Sequence, residues 1–166
     1  MVPYPMPEWL AAVAENYRAN PDNQNRFFKG WSYFITYRVL ADEKFGLEKD
    51  IYFGSHIEDG ILQDDDSTCL MSPEEAKRKS DFIVSAPADL WKKIIQKKES
   101  FMANFMGGRV KLEMGDARTL ISLGSRAPAL VDNLYKVDTE WPDEMPPERL
   151  EGYKARMKQI LDSLGY

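Results

Sequence analysis

Few side chains in this chain combine the type and the spacing that chemistry requires. His56 is the single histidine, so a Ser/His/Asp relay or a histidine-ligated metal would have to run through it. No G-x-S-x-G elbow precedes it. It alternates with Ile51, Phe53 and Ile57, which places it on the side of its strand away from the apolar face. Asp116 is the other acid–base candidate, but its position just before an apolar-periodic segment suits a helix cap. Cys69 is the single cysteine, so an internal disulfide is impossible. With no nucleophile motif around it, Cys69 is expected to be a small buried or half-buried residue, in a chain that folds under reducing conditions. The run Asp64-Asp65-Asp66 lacks the alternating spacing and closing Glu of a calcium loop, and reads as a solvated turn. Gly107-Gly108 lies before a strand rather than a helix, the wrong order for a phosphate cradle. Lys92, Lys93, Lys97 and Lys98 have the charge to meet anionic lipid head groups, although a solvated helix face accounts for them. The expectation is no catalytic residue, no metal and no cofactor.

The composition narrows the classes further. The chain has 166 residues, 43% of them hydrophobic, enough to bury a core without disulfides or metal. Its net charge of −5 argues against a nucleic-acid partner, because phosphate binding needs an excess of Lys and Arg. No run approaches the roughly 18 apolar residues of a membrane-spanning helix, and Met1 to Trp9 has neither the basic nor the apolar segment of a signal peptide. A cytoplasmic location without a transmembrane segment is expected.

The elements that position these residues follow from periodicity. Pro7 to Ala19 reads as a helix with Trp9, Leu10, Val13 and Tyr17 on one face. Trp31 to Leu40 switches to period two: Trp31, Tyr33, Ile35, Tyr37 and Val39 point one way, and Ser32, Thr36 and Arg38 the other. Ile51 to Ile57 is a second strand, antiparallel to the first across a turn at Gly46, and Gly60 to Gln63 begins a short third one. Asp64 to Ser72 reads as loop. Ser72-Pro73-Glu74-Glu75 starts a short helix reaching about Arg78, Asp81 to Ser85 is a strand, and Pro87 to Lys98 is a helix. Glu99 to Met106 is a short apolar helix or turn. Arg109 to Met114 alternates, with Val110, Leu112 and Met114 on one side. Helices follow at Asp116 to Gly124, around Ala127 to Leu134, and from Pro147 to Leu164. The sum is a single α+β domain spanning residues 1–166. In it a mostly antiparallel sheet with one apolar face is covered by five or six helices.

The apolar inventory is large for this size: eight methionines, eight phenylalanines, eight tyrosines and four tryptophans. Methionine adapts to variable apolar shapes, and Met102, Met106 and Met114 lie near Phe101 and Phe105 in sequence. Core filling or the wall of a cavity would both use such residues.

The stretch from Ser80 to Leu123 resembles the sterol carrier protein type 2 family. The resemblance runs through the strand Asp81-Phe82-Ile83-Val84, the helix Leu90-Trp91-Lys92-Lys93-Ile94-Ile95, and the apolar turn to Met106. It then continues into a strand with Gly108, Val110, Leu112, Gly115 and Asp116 at the family's "G-x-hydrophobic-x-hydrophobic-x-G-D" positions. It covers about residues 31–135 in element order and 80–123 in residue detail. It implies a five-stranded sheet with helices on one face and an apolar tunnel between the layers. It also implies a non-catalytic protein binding fatty acids, acyl esters, phospholipids or sterol-like molecules. The lining residues expected on that basis are Phe82, Trp91, Phe101, Met102, Phe105, Met106, Val110, Leu112, Met114 and Leu120. A rival reading keeps the fold, fills the cavity, and uses an apolar patch near Trp9 or Trp31 to hold an enzyme partner or a second copy. A second rival is an enzyme using His56 or Asp116. The C-terminal helix would serve as a lid, a wall or simple packing.

Overall fold

A computed structural model describes residues 1–64 and 68–166. In chain order the elements begin with strand β1 (Val2–Pro3), helix α1 (Pro7–Ala19), and strands β2 (Tyr33–Leu40), β3 (Ile51–Glu58), β4 (Ile61–Leu62) and β5 (Leu70–Met71). They continue with α2 (Pro73–Lys79), β6 (Phe82–Pro87), α3 (Ala88–Ile95), α4 (Phe101–Met106), β7 (Lys111–Met114), α5 (Ala117–Leu123) and α6 (Ala127–Tyr135). Strand β8 (Thr139–Glu140) and α7 (Pro147–Ser163) close the chain. The architecture is α+β, with a six-stranded, mostly antiparallel sheet and seven helices among the described residues.

Strand order in the sheet is β4-β3-β2-β6-β7, with β5 paired to the same β3. The β2–β3 hairpin sets the register, matching Ile35 to Ser55, Tyr37 to Phe53 and Val39 to Ile51. Strand β6 joins β2 in parallel and places Val84 beside Tyr37. Because side chains alternate, Ile35, Tyr37, Val39, Phe53, Phe82 and Val84 all face one layer of helices. Side-chain caps fix the starts of three helices. Ser72 accepts from the amide of Glu75 (3.1 Å), Ser100 from that of Ala103 (3.1 Å) and Asp116 from that of Thr119 (3.0 Å). Such caps contribute about 1 kcal/mol each.

The structure departs from the periodicity reading in three places, and the acidic run is not one of them. The helix expected to reach Lys98 stops at Ile95, and Lys97 turns the chain at φ 61. The expected loop before Ser72 contains β5. Asp65 and Asp66 of the acidic run lie outside the described residues. Finally, the β6–β7 ladder shifts register, pairing Ile83 with Met114 but Val84 with Leu112. That bulge separates Leu112, which faces the main core, from Met114, which faces the opposite side of the sheet. Gly115 follows at φ 109, with the Phe82 ring and the Asp81 carbonyl where a Cβ would stand.

The opposite face carries a smaller apolar cluster of Phe34, Tyr52, Met71, Ala76 and Ile83, capped by α2 and by Tyr166, whose hydroxyl donates to the Met71 carbonyl (3.0 Å). There Arg38 bridges Asp50 and Glu113 and lies over the Tyr52 ring (5.5 Å). At the other end of the fold, β1 pairs in parallel with β8, and Trp9 donates to the Thr139 hydroxyl (2.9 Å). Helix α7 buries Tyr153, Met157 and Leu161, and Tyr153 donates to the Tyr4 carbonyl (2.7 Å). The C-terminal helix therefore packs on the N-terminal segment. Trp9 and Trp31 are buried in the same core, which removes them as an exposed docking patch.

Candidate functional site

The helix side of the sheet encloses an apolar chamber of about 70 Å³. Its floor is the centre of the hairpin, Ile35, Tyr37 and Phe53. Helix α3 supplies Trp91, Ile94 and Ile95, and Phe101 at the start of α4 stacks on Trp91 with ring centroids 6.2 Å apart. The Trp91 indole is held on its other sides: it donates to the Arg38 carbonyl (3.0 Å) and meets the Tyr37 ring edge-on at 5.7 Å. The N-terminal half adds Tyr4, Phe28 and Trp31.

The roof is the α5–α6 segment. Leu120, Leu123, Leu130, Val131 and Leu134 border the chamber, and all but Leu120 are only half-buried although they face the core. Helix α6 fully buries just one residue, Asn133. That side chain is one mooring point. Asn133 Oδ1 accepts from Asn23 (3.1 Å), and its carbonyl accepts from Asn16 (3.0 Å). Polar bonds tie the roof at both ends, at Arg126 and at Asp132–Asn133, while its apolar side chains between them are only half-buried.

Outside the roof lies a surface cleft of about 440 Å³, bordered by Ile94, Phe101, Ala127 and Val131, which also border the chamber. Its outer rim is Lys97, Lys98, Glu99, Ser100 and Met102. At the junction Met102 lies in the notch left by Gly124; a Cβ there would stand 2.6 Å from the Met102 sulfur. Lys97 is tied to Asp132 (2.8 Å) and sits over the Tyr135 ring (4.4 Å). Lys92 faces away to Asp143 and Glu144. A third small space, about 30 Å³, continues behind Tyr37, Phe53, Leu130 and Leu134 toward α1.

Of the residues expected from sequence to line a cavity, Trp91, Phe101 and Leu120 border the chamber, and Met102 borders the outer cleft. Phe82 and Val110 are buried in the surrounding core, and Phe105 and Leu112 pack half-buried against it. Met106 is 67% exposed and Met114 lies on the opposite face, so neither reaches the chamber. The sequence reading missed Tyr4, Phe28, Trp31, Tyr37 and the α6 roof. Leu130, Val131 and Leu134 were visible as one face of a helix, but the sequence carries no signal that joins that face to residue 4.

Two buried polar groups stand out in these walls. The Tyr4 hydroxyl has no hydrogen-bond partner, and the Tyr37 hydroxyl has only Ser55 close by. Burial holds both phenols neutral, pushing Tyr37 up to about 12, with Ser55 beside it pulling back, and raising Tyr4 further. The candidate acid–base residues lie elsewhere. Asp116 is an exposed cap whose carboxyl is held below its usual range by the Thr119 hydroxyl and amide. His56 stacks on Phe34 (4.8 Å) and meets Glu58 (2.8 Å) on the opposite face of the sheet. Cys69 is exposed rather than buried. Among the described residues no cluster of three His, Cys, Asp or Glu could hold a metal, and no helix is long and apolar enough to cross a membrane.

No protein-family model and no curated protein sequence matches this chain. Solved structures do. A conserved hypothetical protein from Thermus thermophilus, described as a candidate sterol carrier protein, superposes with a TM-score of 0.69 at 17% identity. The match covers 80% of this chain and 88% of that one. A crystal structure of sterol carrier protein 2 superposes with a TM-score of 0.64 at 18% identity, covering 78% of this chain and 95% of the other. At this identity the likeness is one of fold, and the chain has the fold seen in sterol carrier protein 2.

Proposed function

We propose that this protein binds an apolar ligand without transforming it, in the chamber between the sheet and the α5–α6 roof. The observation that carries this reading is an apolar space that adjoins a surface cleft across the half-buried side chains of the α5–α6 roof. The enclosed part alone is below the roughly 300–1,000 Å³ of small-molecule sites. The cleft, at about 440 Å³, lies within that range, and Phe101, Met102 and Val131 are the movable partition through which it would open into the chamber. Each methylene taken from water into such walls contributes about 0.8 kcal/mol, without any directional contact. The structural likeness to sterol carrier protein 2 supports a lipid-like ligand: a fatty acid, acyl ester, phospholipid or sterol-like molecule. Trp91, Phe101 and Leu120 are the proposed contacts from the sequence reading, joined by Ile35, Leu130 and Val131.

The test is native mass spectrometry of freshly purified protein, before and after incubation with saturated C10–C18 acids and alcohols. A one-to-one adduct that solvent extraction identifies as a long-chain species supports the reading. A mass that stays at the bare polypeptide value across the series means a closed core, and the reading fails.

A further inference from the structure

We propose that Arg126 is the head-group anchor of this site, and that the preferred ligand is a long-chain monoanion with its carboxylate at the end of the roof where α5 passes into α6. The proposal rests on the apolar-ligand reading above and adds a ligand charge and a residue to it. Among the described residues bordering the chamber, Arg126 is the only charged one. Like Arg26, Arg78 and Arg118 it makes no ion pair among the described residues, whereas Arg18, Arg38, Arg109, Arg149 and Arg156 each meet a carboxylate.

The Arg126 side chain is nevertheless held in place. Its Nε donates to the Phe27 carbonyl (3.1 Å), and the guanidinium lies 5.6 Å from the centre of the Trp31 ring. Those two contacts use one N–H and one face, and leave the terminal nitrogens available for a planar, two-oxygen acceptor. Arg126 is half-buried, between the apolar space and solvent. A carboxylate there can keep part of its hydration while the chain behind it is removed from water. Two exposed charges nearby have the same sign. Arg26 and Lys29 are exposed in the neighbouring segment that holds the Arg126 side chain through Phe27.

A ligand with an uncharged head would leave this guanidinium in the chamber wall without a counter-charge. Dodecanoate and 1-dodecanol share a chain length and differ at the head, so they separate charge recognition from chain burial. Titrations followed by tryptophan emission, with Trp31 and Trp91 in the wall, give both affinities. The expected result is tighter binding of dodecanoate by about two- to fivefold, the range for a partly exposed charge pair. Arg126→Met then removes that preference while 1-dodecanol binds as before, and Arg126→Lys keeps part of it. Equal affinities in the unaltered protein, or a parallel loss of both ligands in Arg126→Met, would overturn the assignment and leave the apolar-ligand reading standing. If neither ligand binds the unaltered protein, both fail.

Discussion

Tyr4 and Tyr153 lie side by side at the junction of the two chain ends, and their hydroxyls have opposite fates. The Tyr153 hydroxyl donates to the Tyr4 carbonyl, whereas the Tyr4 hydroxyl is buried without a partner. A buried hydroxyl that loses its water and gains nothing is a net cost, and a satisfied one is a net gain. The two Phe substitutions should therefore move stability in opposite directions. Tyr153→Phe loses about 1 kcal/mol and Tyr4→Phe gains a comparable amount. Urea midpoints at constant slope measure both. A loss in Tyr4→Phe matching that in Tyr153→Phe would mean that the Tyr4 hydroxyl is bonded. The polar atoms in the walls bear on ligand choice because the rest of the lining is apolar. An unpartnered phenol and an unpaired guanidinium are its few sources of direction.

At the scale of elements, the junction between chamber and cleft depends on how α4 meets the α5–α6 turn. Met102 occupies the space beside Gly124 that a side chain would fill, and Gly124 has the helical φ of −62 that alanine also adopts. Gly124→Ala should displace the flexible thioether rather than the backbone, so folding stability changes by less than about 1 kcal/mol. With Met102 moved aside, ligand exchange should quicken. Stopped-flow displacement of bound dodecanoate checks this; unchanged exchange together with a large loss of stability would show that the pair is core packing. Most elements were legible in the sequence because each writes its own period. The α1, α3 and α7 stripes match the observed burial, and the β2–β3 pairing is the expected antiparallel one, whereas the face of that hairpin expected to be polar is buried at Phe34, Thr36 and Tyr52. The bulge between Ile83 and Val84 was not legible, because Val110, Leu112 and Met114 alternate without interruption while the ladder they join does not. Nor was the end of α3. Lys97 adopts a left-handed conformation uncommon for a non-glycine residue, which no residue type in this stretch signals.

For the molecule as a whole, the lining residues expected from sequence lie mostly in the layer that holds the chamber, and Trp91, Phe101 and Leu120 border it. The expected lining residues all came from one stretch, residues 82–120, because a family pattern is continuous in sequence. The chamber is closed by segments far apart in the chain: Tyr4, the Phe28–Trp31 turn, the hairpin floor and the α6 roof. Their convergence follows from the pairing of β1 with β8 and from the bonds of Asn16 and Asn23 to Asn133. No local pattern encodes these long-range links.

The sheet also gives the central claim an internal control, since it carries apolar residues on both faces. The decisive measurement is a methyl-resolved NMR titration with dodecanoate. The account predicts that Ile35, Leu120, Leu130 and Val131, which border the chamber, shift on binding, while Ile83, Met71 and Met114 on the opposite face stay still. Shifts confined to the opposite face, or saturable binding that leaves the chamber methyls unmoved, would contradict it.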